Sequence, residues 1–231
     1  MKKLLVIIAI ILIVGGASVA YMGYVHIYQT MVPKDLMIQI PTGSEFDEVI
    51  HILDENQLIK NVSVFQELAE RMNYIKSPMR SGQFELKEGM GTYDIIRQLR
   101  NGPQKPTDLI VNINWTYERA AARISNFVEL DSFSLVTTLN DPQLQEELEY
   151  NTATAMTLFI PNTYEVYWNT SGADLIRRLH REKKAFWGQN DRTAKAAELG
   201  MTRDEVYTLA SIVERETNQD TEKQRVAGVY L

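Results

Sequence analysis

Two carboxylates stand near the C-terminal end of the sequence, Glu214 and Glu216, in the stretch TLASIVERET from Thr208 to Thr217. On a helix, at about 100° per residue, Val206, Leu209, Ala210 and Val213 form one apolar stripe that Thr217 extends. Glu214 falls on the edge of that stripe, near Tyr207, while Arg215 points to the opposite side. Glu216 lies roughly 160° around the helix from Glu214. A carboxyl at the border of an apolar face loses solvation and keeps a proton more readily, as a general acid must. Glu214 has the position for that role, although spacing alone favours an ordinary surface glutamate on an amphipathic helix. Glycoside hydrolases use a second carboxylate, roughly 5 to 9.5 Å away. Glu216 faces away, so Glu165 or another residue supplies that group, or the reaction needs only one.

Other chemistries find no footing. The three histidines, His26, His51 and His180, are isolated, and no His-Glu-x-x-His pattern, phosphate-binding glycine loop or dinucleotide fingerprint occurs. Ser211 lacks the flanking glycines of a nucleophile elbow. The absence of cysteine excludes disulfides, thiol catalysis and thiolate metal sites. A net charge of -6, with no basic tract beyond Lys2 and Lys3, argues against a nucleic-acid partner. None of these patterns offers a metal or cofactor site.

The elements that must hold Glu214 follow from the surrounding pattern. Thr202 and Glu205 have the spacing of a capping box, which starts the helix bearing Glu214. Upstream, further helices are expected over 173–187, 142–149 and 134–140, with Thr116 capping another through about Asn126. Leu109, Val111, Ile113 and Trp115 alternate with polar residues as on a half-buried strand. The segment TLFIPNTYEVYW, Thr157 to Trp168, is rich in aromatic, Asn and Thr residues. It reads either as a loop or strand edge meeting a polar, ring-shaped ligand or as a core strand broken by a Pro-Asn turn. At the end of the chain, Val226, Val229 and Tyr230 have the spacing of a helix entering a core.

The first part of the sequence reads as a separate small domain. Met31 to Asp35 suggests a stalk, Met37 to Gln39 a strand, Ser44 a helix cap, and Ser63 to Asn73 a helix burying Val64, Leu68 and Met72. A strand over Gly82 to Leu86, a turn at Gly89 to Gly91 and a helix capped by Thr92 follow, stopped by Gly102-Pro103. GSEFDEVIHIL (Gly43 to Leu53) and GMGTYDIIRQL (Gly89 to Leu99) echo one another, as any two amphipathic helices after glycine turns can. Gln104-Lys105-Pro106 reads as the linker.

Leu4 to Tyr28 is an uncharged 25-residue segment behind two lysines. As a helix it is about 37 Å long, enough to cross a hydrocarbon core of roughly 30 Å. The lysines place its start on the cytoplasmic side, and Tyr21, Tyr24 and Tyr28 suit the far interface. A cleaved signal peptide is the alternative, since Ser18-Val19-Ala20 is a small-x-small site.

The combination of ASIVERET, FIPNTYEVYW, the apolar N-terminal segment and a small strand-helix domain resembles the endolytic murein transglycosylase family, the YceG-like proteins. The resemblance runs from the N-terminal segment to Leu231. It implies an α+β chain with a cytoplasmic tip and transmembrane helix at 1–30, a LysM-like subdomain with its stalk at 31–103, and a catalytic domain from 104 to 231 that lacks its C-terminal part. It implies a lytic transglycosylase of the inner membrane, anchored in the bilayer through residues 4–28 and facing the periplasm. Its substrate would be nascent peptidoglycan glycan strands, with peptidoglycan synthases as partners. Glu214 corresponds to the family's catalytic glutamate, and Asn162, Thr163, Tyr164, Glu165, Glu216 and Thr217 are candidate substrate contacts. Asn162 stands where the family pattern has Asp. A non-catalytic peptidoglycan-binding scaffold is the alternative, with a conventional hydrolase behind it.

Overall fold

A computed structural model of the chain describes residues 10–18, 21, 29–112 and 116–231. The membrane-spanning helix expected over residues 4–28 is not supported among the described residues. There α1, at 10–18, is helical, and no helix is long and apolar enough to cross a membrane. Residues 4–9, 19–20 and 22–28 of that segment, like Ile113 and Trp115 of the expected strand, lie outside the described residues. The chain divides into two compact units, Met1–Lys105 and Pro106–Leu231, and its elements are mixed helix and strand.

The first unit runs β1 (Leu36–Ile40), α2 (Phe46–Glu55), α3 (Val62–Arg71), β2 (Gly82–Leu86) and α4 (Thr92–Asn101). The echo seen in the sequence extends to whole elements. β2 begins 46 residues after β1, at Gly82 against Leu36, and α4 begins 46 after α2, at Thr92 against Phe46. Gly43 and Gly89, at the matching turns, have φ of +86° and +88°, a region glycine enters at no steric cost. The helices bury matching residues, Val49 and Leu53 on α2 and Ile95 and Leu99 on α4. The strands pair antiparallel with Ile38 opposite Phe84, its own counterpart in the repeat. A local two-fold therefore passes through the middle of the strand pair.

Four local expectations need correction here. Met31 and Val32 are not stalk but core, 7% and 0% exposed, because both of their N–H groups donate to the Met90 carbonyl. Ser44 does not cap α2. Its N–H bonds to the Pro41 carbonyl and its own carbonyl accepts from Met79 N–H, which draws the residue inside and leaves Glu45 at the cap position. Thr92 is the first helical residue of α4, with Gly91 at the cap. α3 buries Phe65 and Ala69, with Leu68 and Met72 at the margin of the core. Asn61 caps that helix by accepting from Val64 N–H.

The second unit runs β3 (Thr107–Val111), α5 (Tyr117–Ile124), α6 (Ser132–Leu139), α7 (Pro142–Leu148), a 3₁₀ turn (Ala155–Leu158), β4 (Asn162–Val166), α8 (Gly172–Gly188), α9 (Arg192–Glu198), α10 (Arg203–Glu216) and α11 (Asp220–Tyr230). Side-chain caps start most of these helices: Thr116 for α5, Asp131 for α6, Asp141 for α7, Ser171 for α8 and Thr202 for α10. β3 and β4 pair antiparallel, and Leu109, Val111, Tyr164 and Val166 point from them into a core completed by α6 and α8. At Gly172 a Cβ would meet Thr138 Oγ1 at 2.7 Å, so α8 and α6 approach closely there and a larger residue would displace the Thr138 side chain. The segment TLFIPNTYEVYW takes the core-strand form, with Leu158, Phe159, Ile160, Tyr164 and Val166 all buried.

Candidate functional site

The helix carrying Glu214 is fixed at its start by three devices. The capping box is complete: Glu205 N–H donates to Thr202 Oγ1 at 3.2 Å, and the Glu205 carboxylate accepts from Thr202 N–H at 2.7 Å. This satisfies donors that a helix N-terminus otherwise leaves open. The bond from Thr202 N–H first, and then one from the Thr202 hydroxyl to the same oxygen at 2.8 Å, hold the Glu205 carboxyl below its ordinary range. Lys183 of α8, whose side chain is 14% exposed, donates to Asp204 Oδ1 and to Thr157 Oγ1, both at 2.6 Å. Tyr207 donates its hydroxyl to the Phe159 carbonyl at 3.1 Å, and burial pushes that phenol up to about 12. The start of α10 is thus tied to α8 and to the 3₁₀ turn.

The apolar stripe expected on α10 is only partly covered. Val213 is buried, whereas Val206 and Leu209 are half-buried and Ala210 is exposed. Two cavities flank the helix and explain this. One, of about 470 Å³, is lined by Ile160, Pro161, Trp187, Val206, Tyr207 and Ala210 among others. The second, of about 590 Å³, is lined by Thr154, Thr157, Thr208, Leu209, Ile212 and Tyr230 among others. Glu214 lines neither.

Glu214 sits two turns beyond Tyr207, with its side chain 31% exposed, and its Oε2 accepts from Lys223 Nζ at 2.6 Å. Lys223, on α11, also donates to Asp220 Oδ1 at 2.8 Å. Hydrogen bonds from Lys223 to Asp220 first and to Glu214 second, reinforced by their charges, push the Lys223 ammonium above its ordinary value. The turn between the helices is closed by Thr217. Its hydroxyl donates to Glu222 Oε2 at 2.9 Å and accepts from Gln219 N–H at 3.1 Å, while its N–H bonds to the Val213 carbonyl. α11 buries no residue, and Val229 and Tyr230 are 78% and 52% exposed, so the expected entry of this helix into a core does not occur.

The remaining candidates separate into two places. Glu216 is exposed, its Oε1 at 3.5 Å from the Tyr230 hydroxyl, and Thr217 is committed to the α10–α11 turn. Asn162, Thr163, Tyr164 and Glu165 lie on β4. Asn162 and Thr163 are exposed and joined by the Asn162 side chain accepting from Thr163 N–H at 2.8 Å. Tyr164 is buried, donates its hydroxyl to the Ile160 carbonyl and is raised above its ordinary value chiefly by burial. It supports the strand from within. Glu165 is exposed opposite Asp108, and among the described residues no hydrogen bond joins it to Glu214. Among the described residues no hydrogen bond or ion pair joins the Pro-Asn-Thr-Tyr segment to Glu214, although Pro161 lines a cavity with Tyr207 and Ala210 of the same helix. Among the described residues no cluster of three or more His, Asp or Glu could hold a metal ion.

Lys223 and Lys183 were not singled out by spacing. Lys223 acts across the α10–α11 turn and Lys183 across α9, and only the Asp220–Lys223 interval of three residues carries a local sign of pairing.

Residues 38–231 match the model of the YceG-like family, and the chain belongs to that family. It is 24% identical over 242 aligned residues to a protein named endolytic murein transglycosylase from Streptococcus pneumoniae serotype 2, covering 91% of this chain and 43% of that one. A Bacillus subtilis (strain 168) protein of the same name is 21% identical, covering 95% of this chain and 64% of that one. The chain thus spans less than half the length of the pneumococcal relative. A crystal structure of a yceG-like protein from Listeria monocytogenes aligns over 82% of this chain and 67% of its own, at 19% identity and a TM-score of 0.47.

Proposed function

We propose that this chain is the anchor, glycan-binding and acid-bearing part of an endolytic murein lytic transglycosylase, with Glu214 as its acid and then its base. The observation that carries this reading is a carboxylate, Glu214, held by Lys223 near the end of a helix whose start is tied to α8 and the 3₁₀ turn, in a chain of this family whose named relatives are murein transglycosylases. A lytic transglycosylase needs one such group. Protonated Glu214 gives its proton to the oxygen linking N-acetylmuramic acid to N-acetylglucosamine, and the C1–O bond breaks, leaving a hydroxyl on the departing sugar. The resulting carboxylate then takes the proton of the muramic acid 6-hydroxyl as O6 bonds to C1. A 1,6-anhydro ring closes, no water is consumed, and the acid is regenerated. The nucleophile belongs to the same sugar, so orientation replaces a second carboxylate.

In this reading residues 4–28 anchor the chain in the inner membrane, with Lys2 and Lys3 inside and both units outside. The first unit is LysM-like and holds glycan. A reporter joined after Pro103 is then extracytoplasmic and stays with membranes in high salt. Release of a shortened, soluble protein would instead mark cleavage after Ala20.

One observation favours a scaffold that binds glycan without cutting it: Glu214 is closed in an ion pair with Lys223. Product chemistry separates the readings. Glycan strands treated with the protein yield 1,6-anhydromuramic ends if it is a transglycosylase and reducing ends if it is a hydrolase. They stay intact if it is a scaffold.

A further inference from the structure

The two oxygens of the Glu214 carboxylate are not equivalent. Oε2 is taken by Lys223 Nζ at 2.6 Å, and among the described residues Oε1 has no hydrogen-bond partner. Lys223 has a second carboxylate, Asp220 Oδ1 at 2.8 Å, one turn before it on the same helix. One ammonium is therefore shared by two carboxylates, and the group of three carries one net negative charge. An ammonium has three donors and can serve both partners at once. A proton arriving on Oε1 neutralises the group and leaves Lys223 paired with Asp220, so Lys223 stays charged and its bond to Oε2 is kept. Without Asp220 the same protonation would leave a cation with no counter-ion.

We propose that Lys223 is a positioning residue for Glu214: it grips Oε2, which assigns Oε1 as the oxygen that gives and takes the proton, and Asp220 keeps Lys223 charged throughout. This rests on Glu214 being the acid of the reaction. The grip is exerted across the turn that Thr217 closes, so the orientation of the carboxylate is set by α11 and not by α10 alone. A carboxylate left to rotate loses the aim that an acid must have, and a misplacement of about 1 Å can cost on the order of 100-fold in rate.

The test is steady-state cleavage of glycan strands by the full chain, counting 1,6-anhydro ends, with melting temperature measured alongside. Lys223→Met is expected to lower kcat about 10- to 100-fold with KM within about twofold, and Lys223→Arg to recover kcat to within about threefold of the parent. Lys223→Gln takes the place of Lys223→Met if that variant does not fold, with the same expected loss. Asp220→Asn is expected to lower kcat less than Lys223→Met does. Unchanged or faster cleavage by Lys223→Met would overturn the proposal. So would equal losses in the Met and Arg variants accompanied by equal falls in melting temperature, since Lys223 would then be only a tie between helices. Loss of cleavage in Glu214→Gln with normal cleavage in Lys223→Met removes the positioning role alone. Normal cleavage in Glu214→Gln, or none by the parent chain, removes the functional reading and this proposal with it.

Discussion

The first unit and the α10–α11 corner of the second are built on opposite terms. In the first unit α2 and α4 each turn a fully buried face inward, and the strands between them contribute Ile38, Ile40, Phe84 and Leu86 to the same core. In the α10–α11 corner one residue, Val213, is buried, and the two helices are held by polar devices: a capping box, an ammonium on two carboxylates and a threonine in the turn. Apolar burial fixes a shape over a wide area, whereas hydrogen bonds and ion pairs fix individual atoms. The first suits a stable body and the second the placing of single side chains. The difference predicts that core changes act on stability and that changes at Glu214 and Lys223 act on rate.

The largest effect expected is on rate. Glu214→Gln keeps the size of the side chain and removes the titrating proton, so cleavage falls at least about 100-fold with no change in the unfolding transitions. Retention of more than about a tenth of the parent rate would break the assignment. The largest effect on stability is expected in the first unit, where Phe84→Ala empties a fully buried site. It should cost about 3–5 kcal/mol in denaturant unfolding, with Leu53→Ala close behind at about 2–5 kcal/mol. Thr202→Ala removes the capping box and should cost the second unit about 1 kcal/mol. The smallest effect is expected at Val229, 78% exposed on α11, where Val229→Ser should stay within about 0.5 kcal/mol. A loss there above 1 kcal/mol would mean that α11 is packed in solution.

The capping box adds a pH dependence that sharpens the comparison. The Glu205 carboxyl is depressed in the folded chain relative to its ordinary value of 4.5. Its contribution to α10 is therefore present above that value and lost as pH falls through the lower folded value. Helicity of the second unit, followed by circular dichroism from neutral pH downward, should show this loss in the parent chain and lack it in Glu205→Gln.

What could be read from the sequence was what is local. Thr116 and the Thr202–Glu205 box were legible because a cap and its target lie within three residues. The alternation of Leu109 and Val111 was legible because a strand's faces alternate at every residue. Ser44 misled because one of the bonds that draw it inward comes from Met79, far along the chain. α9 went unseen, since RTAKAAE is short, mostly small or polar, and buries only Ala196. At the site, the edge position of Glu214 could be counted off a helical wheel, but its partner could not. That Lys223 reaches Glu214 depends on the direction of the Thr217–Gln219 turn, which no periodicity encodes.

The pairing of Ile38 with its own counterpart Phe84 has a consequence for assembly. Because β1 and β2 are equivalent under the local two-fold, each offers the other the kind of edge it would offer to a copy of itself. A peptide carrying only the first half of the repeat should then find its missing strand in a twin, with Ile38 opposite Ile38, and form a symmetric homodimer in place of the single-chain unit. The intact chain pairs those two edges within itself, so the covalent link between the halves withholds them from a second copy.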